Sequence, residues 1–311
     1  MLPTATSYVG TINGIYVYSI ASNGSLSLGN SSGIISPDQA VSMQVSANNN
    51  WLVEVAPGYV YAIAINSSDG TIASKTEQPL GLSGTVQQIA ISPDSSYVFV
   101  AMGSGGTEAI AFDAGAAANT DPFGAATHIP TVNNAGAAIS VAVDPLQSGQ
   151  TTPRLFYIGE TAATSGSNSG GLRAFEFSSL GGTLAEISDS PFATEGLAPY
   201  SILPISTGNY VYVLNRQTSS GSTGVIAGFS ISSSGSTYSL TALGSDFGVG
   251  TNPVAMAEDS TGTYVLAVDY GGSPDLEGYT FSSTKAGYLE SAVSSATGTD
   301  PVQASGIVAA P

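Results

Sequence analysis

The stretch VAMAEDSTGTYVLAVDYG, from Val254 to Gly271, decides the fold. A short apolar run leads into Asp259-Ser260-Thr261-Gly262-Thr263, a cluster of turn residues, and then into Tyr264-Val265-Leu266-Ala267-Val268, a second run of strand length. Both faces of that second run are apolar, the pattern of a strand covered on both sides. Downstream, LEGYTFSS from Leu276, the turn TKAG and YLESAVSS from Tyr288 supply two more strands. One unit is therefore four strands joined by short turns, and nowhere does the chain show a sustained helical period.

The unit recurs. VSMQVSANNNWLVEVAPG starts at Val41, VQQIAISPDSSYVFVAMG at Val86, ISVAVDPLQSGQTTPRLFYIG at Ile139 and YSILPISTGNYVYVLNRQ at Tyr200, while VQASGIVAAP from Val302 stops after a first strand. The starts lie 45, 53, 61, 54 and 48 residues apart, the length of a four-stranded propeller blade with variable loops. Residues 7–35 carry three strand candidates, SYVGTI, GIYVYSIAS and SLSLGNSSG, and lack a first strand. Docking 302–308 onto 7–35 closes a ring without a free edge. The prediction is an all-β, single β-propeller domain over 1–311 with four-stranded antiparallel blades. One blade is shared by 7–35 and 302–308, and the others span about 40–80, 85–132, 137–192, 198–247 and 252–297. Six blades are preferred; seven remain open if the long unit from Ile139 holds an irregular insertion.

Five basic residues stand against 22 acidic ones, a net charge of −17, yet only 9% of residues are charged, well below the roughly 25% of ordinary soluble domains. So few Lys and Arg argue against nucleic acid or an anionic membrane as partner, and no apolar run is long enough for a membrane span. The hydroxyl-rich composition fits a secreted protein or one adapted to acidic surroundings, so an extracellular or cell-surface location is expected. Met1-Leu2-Pro3-Thr4 leads directly into polar sequence, so a leader is absent or has been removed. There is no cysteine, hence no disulfide and no thiol chemistry. Asn23, Asn30 and Asn66 begin sequons and are the glycosylation candidates.

Catalytic constellations are scarce. The single histidine, His128, falls in a predicted outer strand, a poor place for a base, and the glycine-rich runs 103–106 and 165–171 lack the helix start or lysine of a phosphate cradle. Carboxylates near strand ends include Glu54, Glu160, Glu258, Asp269, Asp275 and Glu277. Loops Thr161–Gly171 and Thr218–Gly224 extend from one end of the predicted blades beside Glu160 and Arg216. Arg216, one of three arginines, can pair with a local carboxylate or receive an anionic or sugar ligand. The ligand-binding candidates are Glu160, Arg216, Asp269 and Asp275; no catalytic residue, metal ligand or cofactor is assigned.

Tyr210-Val211-Tyr212-Val213-Leu214-Asn215, followed by GVIAGFSIS, LTALGSDF and NPVAMAEDSTGTYVLAVD, resembles the bacterial lactonase-like propellers. That family includes propeller-type 6-phosphogluconolactonases and the related YVTN-repeat surface proteins. The resemblance covers nearly the whole chain and implies the propeller fold. Enzymes of the family are usually seven-bladed and open one inner strand with Pro-Arg-His, closing the next with Asn-Glu. Here Pro199-Tyr200-Ser201 and Leu214-Asn215-Arg216 stand in those places, so Arg, His and Glu are replaced by Tyr200, Ser201 and Arg216. The reading that follows is a non-catalytic extracellular propeller in binding, surface structure or self-assembly, partnered by itself, another surface protein or a glycan. A lactonase-like hydrolase with relocated catalytic residues is the alternative.

If 302–308 closes the ring, deleting residues 302–311 exposes an apolar edge. Calorimetry should then show a markedly lower melting temperature or aggregation, and an unchanged transition would contradict closure.

Overall fold

A computed structural model describes residues 5–11, 14–23, 25–29, 39–66, 69–132, 134, 136–164, 170–218, 221–235, 237–244, 247–271, 275–295, 304, 306 and 307. The protein is an all-β propeller of six antiparallel blades, and its contacts group into two compact units, 1–129 and 130–311.

The first unit holds three sheets. β1 (Ala5–Thr11), β2 (Gly14–Ile20) and β3 (Leu26–Leu28) form one; β4 (Ser42–Val45), β5 (Trp51–Ala56), β6 (Tyr59–Ile65) and β7 (Ile72–Pro79) the next. β8 (Gln88–Ile91), β9 (Tyr97–Ala101), β10 (Thr107–Phe112) and β11 (Phe123–Ile129) form the third. The strand proposed to complete the first sheet, 302–308, falls mostly outside the described residues; Ala304, Gly306 and Ile307 are described and belong to no strand.

The second unit also holds three sheets. β12 (Ala138–Val143), β13 (Leu155–Glu160), β14 (Gly171–Glu176) and β15 (Phe192–Ala193) make the first. β16 (Pro199–Pro204), β17 (Tyr210–Asn215), β18 (Thr223–Ser234), β19 (Thr237–Ala242) and β20 (Phe247–Thr251) make the second, and β21 (Pro253–Glu258), β22 (Tyr264–Asp269), β23 (Leu276–Phe281) and β24 (Leu289–Ser295) the third. The long unit from Ile139 places its extra length in loops and a single 3-10 turn, Phe177–Ser179, not in another blade. One feature departs from four strands per blade. β18 is long enough for β19 to pair with its residues 229–234 while β20 pairs with residues between 223 and 226 on the same edge.

Two-sided burial is what the apolar runs predict, and β17 displays it. Val211 and Val213 enter a cluster with Leu155, Tyr157 and Phe229, whereas Tyr212 and Leu214 enter another with Ile226, Val265 and Tyr279. Each fully buried aliphatic side chain contributes about 1.5–3 kcal/mol by leaving water. β5 does the same in the first unit, with Trp51, Val53 and Val55 in one cluster and Leu52 and Ala56 in a second.

The turn between the first two strands of a blade uses a repeated device. Just after the first strand, a short polar side chain accepts the turn's N–H groups: Ser46 Oγ from Trp51, Ser92 Oγ from Ser96 and Tyr97, and the Asp259 carboxylate from Thr261, Thr263 and Tyr264. These bonds, led by that of the Thr261 hydroxyl, hold Asp259 down to a pKa of about 2. In the β12–β13 blade the same position is Asp144, fully buried, which accepts from the Tyr157 hydroxyl at 2.7 Å and from Arg154 Nε at 3.0 Å. Burial pushes the Asp144 carboxyl up, against the opposing charge of Arg154 and the Tyr157 bond. Arg154→Met leaves this carboxylate buried without its cation, and chemical denaturation should show a loss of about 3–5 kcal/mol. A loss below about 1 kcal/mol would mean that water or another group replaces the arginine.

Candidate functional site

Register aligns the three blades of the second unit residue by residue. Glu160, Asn215 and Asp269 each end the second strand of their blade opposite Ala138, Pro199 and Pro253, with a register irregularity just inside that pair. The following residues, Thr161, Arg216 and Tyr270, donate their N–H groups to the carbonyls of Ala137, Ala198 and Asn252. One backbone geometry thus presents a buried polar residue followed by a residue at the surface, three times over.

The three buried residues differ in what compensates them. Glu160 receives Arg173 Nη1 at 2.8 Å and the Val132 N–H at 3.0 Å. Arg173 also grips Glu186 with two bonds of 2.9 and 2.7 Å, donates to Pro130 O, and lies over the Phe175 ring. Burial pulls the Arg173 pKa down, but its bonds and charges with Glu186 and Glu160 outweigh that and raise it. Glu160, named from sequence as a ligand contact, is therefore buried and occupied, not open to a ligand. Asn215 accepts from the Thr194 hydroxyl at 2.8 Å and donates to Thr194 O at 2.7 Å. Gly196 permits this, because a Cβ there would lie 2.2 Å from Asn215 Cβ.

Asp269 has no such partner. It is 1% exposed, and neither carboxylate oxygen has a hydrogen bond of ordinary geometry among the described residues. Burial, followed by the charges of Glu277 and Asp275, raises its pKa to about 7, with the Gly250 N–H opposing. Asp275 Oδ1 is likewise buried and unpartnered. Register explains the contrast with Glu160. Arg173 stands opposite Ile158, two residues before Glu160; the corresponding residue opposite Ala267, two before Asp269, is Glu277. Among the described residues no three carboxylates or imidazoles are placed to hold a metal ion.

At the surface position Arg216 is half-buried, its guanidinium 5.1 Å from the Tyr200 ring and 5.5 Å from the Tyr270 ring. No carboxylate of the described residues lies within ion-pair distance. Two aromatic rings flank the cation and favour its positive charge. Tyr200 is the residue skipped at the β16 register irregularity, and Tyr270 is the neighbouring blade's counterpart of Arg216. Both tyrosines escaped the sequence reading as site residues. The signal available for Tyr270 was its alignment with Arg216 in the repeat.

Other candidates are placed elsewhere. His128 is exposed on β11, its Nε2 3.1 Å from Gly105 O. Glu54 is buried in β5, and Glu258 accepts from Ser206 N and Oγ. Asn23 and Asn66 are exposed, and Asn30 falls outside the described residues, as do 165–169 and 219–220 of the two long loops. No helix among the described residues is long and apolar enough to cross a membrane.

No family model matches the chain, and no curated protein matches it. Solved structures do. The Pseudomonas aeruginosa periplasmic gluconolactonase PpgL superimposes with a TM-score of 0.68 at 19% identity, over 94% of this chain and 83% of that one. A functionally unknown protein from Desulfotomaculum acetoxidans gives 0.65 at 15% identity, over 93% and 78%. A 6-phosphogluconolactonase, so described provisionally, from Bacteroides fragilis gives 0.53 at 16%, over 92% and 93%. At such identities the likeness shows the fold alone, and that fold is the β-propeller.

Proposed function

We propose that the protein is a lactonase-like hydrolase that opens a sugar-derived lactone at the Arg216 end of the second unit. The observation that carries this reading is a guanidinium held by two tyrosine rings and bound to no carboxylate among the described residues. In so acidic a chain, a cation left open at a strand end suits a ligand that brings oxygen and negative charge. Water adding to the lactone carbonyl places charge on the carbonyl oxygen. The ring C–O bond then breaks, the departing alkoxide takes up a proton, and a hydroxy acid results. Arg216 would stabilise the developing oxyanion and afterwards pair with the product carboxylate. Tyr270, 39% exposed, offers a ring and a hydroxyl to the sugar. A periplasmic or extracellular setting accords with the sparse charge and with the periplasmic gluconolactonase among the structural neighbours.

A second reading is a non-catalytic propeller that binds a glycan, another surface protein or its own copies. It is favoured by Tyr200, Ser201 and Arg216 in the places of the family's Arg, His and Glu.

Glucono-δ-lactone opening followed in a pH-stat, with calorimetric titration of gluconate on the same sample, separates the two. The hydrolase reading expects turnover above the spontaneous rate and a fall of about 10²-fold in kcat/KM for Arg216→Ala, at unchanged melting temperature. Gluconate binding without turnover supports the second reading. Turnover unaffected by Arg216→Ala removes Arg216 from the site.

A further inference from the structure

β3 is the outer strand of the first sheet, hydrogen-bonded to β2 alone, and each of its residues is exposed. Register fixes which of its backbone groups are free. The Ala21 N–H donates to Ser25 O at 2.9 Å, the Gly29 N–H donates to Val17 O at 2.7 Å, and Ser19 pairs with Ser27 between them. In an antiparallel pair every second residue bonds to the partner strand, so Ser25, Ser27 and Gly29 face β2 while the N–H and C=O groups of Leu26 and Leu28 point away from the sheet. Their side chains are open as well, Leu26 at 60% and Leu28 at 48% exposure. Opposite them on β2 stand Ile20 and Tyr18, and Val9 of β1, itself 41% exposed, stands opposite Tyr16. One side of the sheet thus carries an apolar and aromatic strip that ends at a bare edge.

Charge decides what fits there. No Asp, Glu, Lys, Arg or His stands before Asp38, although the whole chain carries −17. Two copies meeting over most of their surface would set carboxylates against carboxylates; over this sheet they set none. The usual guards against edge-to-edge pairing are missing too. β7, the outer strand of the second sheet, carries Lys75, Glu77 and Pro79, whereas β3 has neither charge nor proline and is guarded by its shortness alone. The edge is also complementary to itself. Because the outward-facing residues are 26 and 28, a second β3 can pair with it antiparallel about a two-fold axis through Ser27, so that Leu26 of each copy exchanges both backbone bonds with Leu28 of the other.

We propose that β3 is a docking edge for a second copy of this chain, joining two first sheets into one continuous antiparallel sheet. The leucines of each copy then cover those of the other, and the strip of Val9, Tyr16 and Tyr18 runs on across the axis. So short a strand makes a contact below the roughly 1,200 Å² at which standard interfaces begin, and the dimer is accordingly weak and reversible, with a Kd of about 10 μM to 1 mM. With no ion pair in the contact, added salt strengthens it by screening the repulsion between two copies of net charge −17. The contact lies within the first unit and rests on neither reading of the Arg216 end.

The chain has no cysteine, so Ser27→Cys introduces a single thiol at the proposed axis. Position 27 would meet its own copy as a non-hydrogen-bonded pair with Cα atoms about 4.5 Å apart, a span that a disulfide bridges. Under mild oxidation this variant should form a disulfide-linked dimer at least about tenfold faster than Ala126→Cys, which is equally unpaired in thiol and exposed on β11, the outer strand of the third sheet. Sedimentation of the wild type should show a monomer–dimer equilibrium that tightens with salt. Leu28→Pro, which removes an outward N–H and leaves the bonds to β2 in place, should abolish it at an unchanged melting temperature. If Leu28→Pro does not fold, Ser27→Asp, which sets two carboxylates face to face across the axis, carries the same expectation. Equal crosslinking of the two cysteine variants, association that survives Leu28→Pro or weakens with salt, or a monomer at every concentration overturns the proposal. A monomer whose introduced thiol resists a maleimide reagent would mean that another segment of the same chain covers the edge, and overturns it too.

Discussion

Charge compensation in a chain with five basic residues and 22 acidic ones is the constraint on which the rest of this structure depends. A buried carboxylate must find a cation, several donors or a proton, because an isolated charge away from water costs several kcal/mol or more. Two of the three arginines meet that requirement. Arg154 neutralises Asp144 beneath a blade turn, and Arg173 neutralises Glu160 and Glu186 between strands. Glu108 has no arginine and accepts the Gly81 N–H through both oxygens; burial raises its pKa against that bond and the charge of His128, which stands opposite it. Asp269 has no cation in ion-pair distance among the described residues, and burial with the charges of Glu277 and Asp275 raises its pKa to about 7. Arg216, with no carboxylate of the described residues in ion-pair distance, lies between two tyrosine rings.

The propeller makes such differences visible because its backbone repeats. At the end of the second strand, one position in three successive blades holds Glu160, Asn215 and Asp269, and two residues back on the partner strand stand Arg173, Ala227 and Glu277. The first pair is a salt bridge, the second needs none because Asn215 is neutral, and the third repels. Blade packing, two-sided and apolar, tolerates all three. Site chemistry is thus set by a few side chains on a scaffold that does not itself dictate function.

Much of the fold was legible in the sequence because each blade repeats a hairpin whose turn residues and two-sided apolar runs have no good alternative structure. β22 lies within YVLAVDYG and β23 within LEGYTFSS, as their composition requires. β20 was not legible. Phe247–Thr251 is short and holds two glycines, and its pairing depends on β18 being long enough to carry two partners on one edge. For the site, sequence singled out Arg216, Asp269 and Asp275 by type and place, and Glu160 with them. That Glu160 is occupied while Asp269 is not depends on Arg173 against Glu277 across a strand pair, a relation that appears only once register is known. The stacking of Tyr200 and Tyr270 on Arg216 joins residues from two blades and has no local signature.

Arg216 is the one arginine with no ion pair to a described carboxylate, and it is the residue proposed to meet the ligand. Three arginines give three Nε signals in a spectrum of protein labelled with 15N-arginine, and two of those groups are bonded, Arg154 Nε to Asp144 and Arg173 Nε to Glu186. Titration with gluconate should move the Arg216 signal, identified by its loss in Arg216→Lys, and leave the other two in place. A titration in which the Arg216 signal stays fixed, or in which Arg154 or Arg173 moves instead, would contradict it.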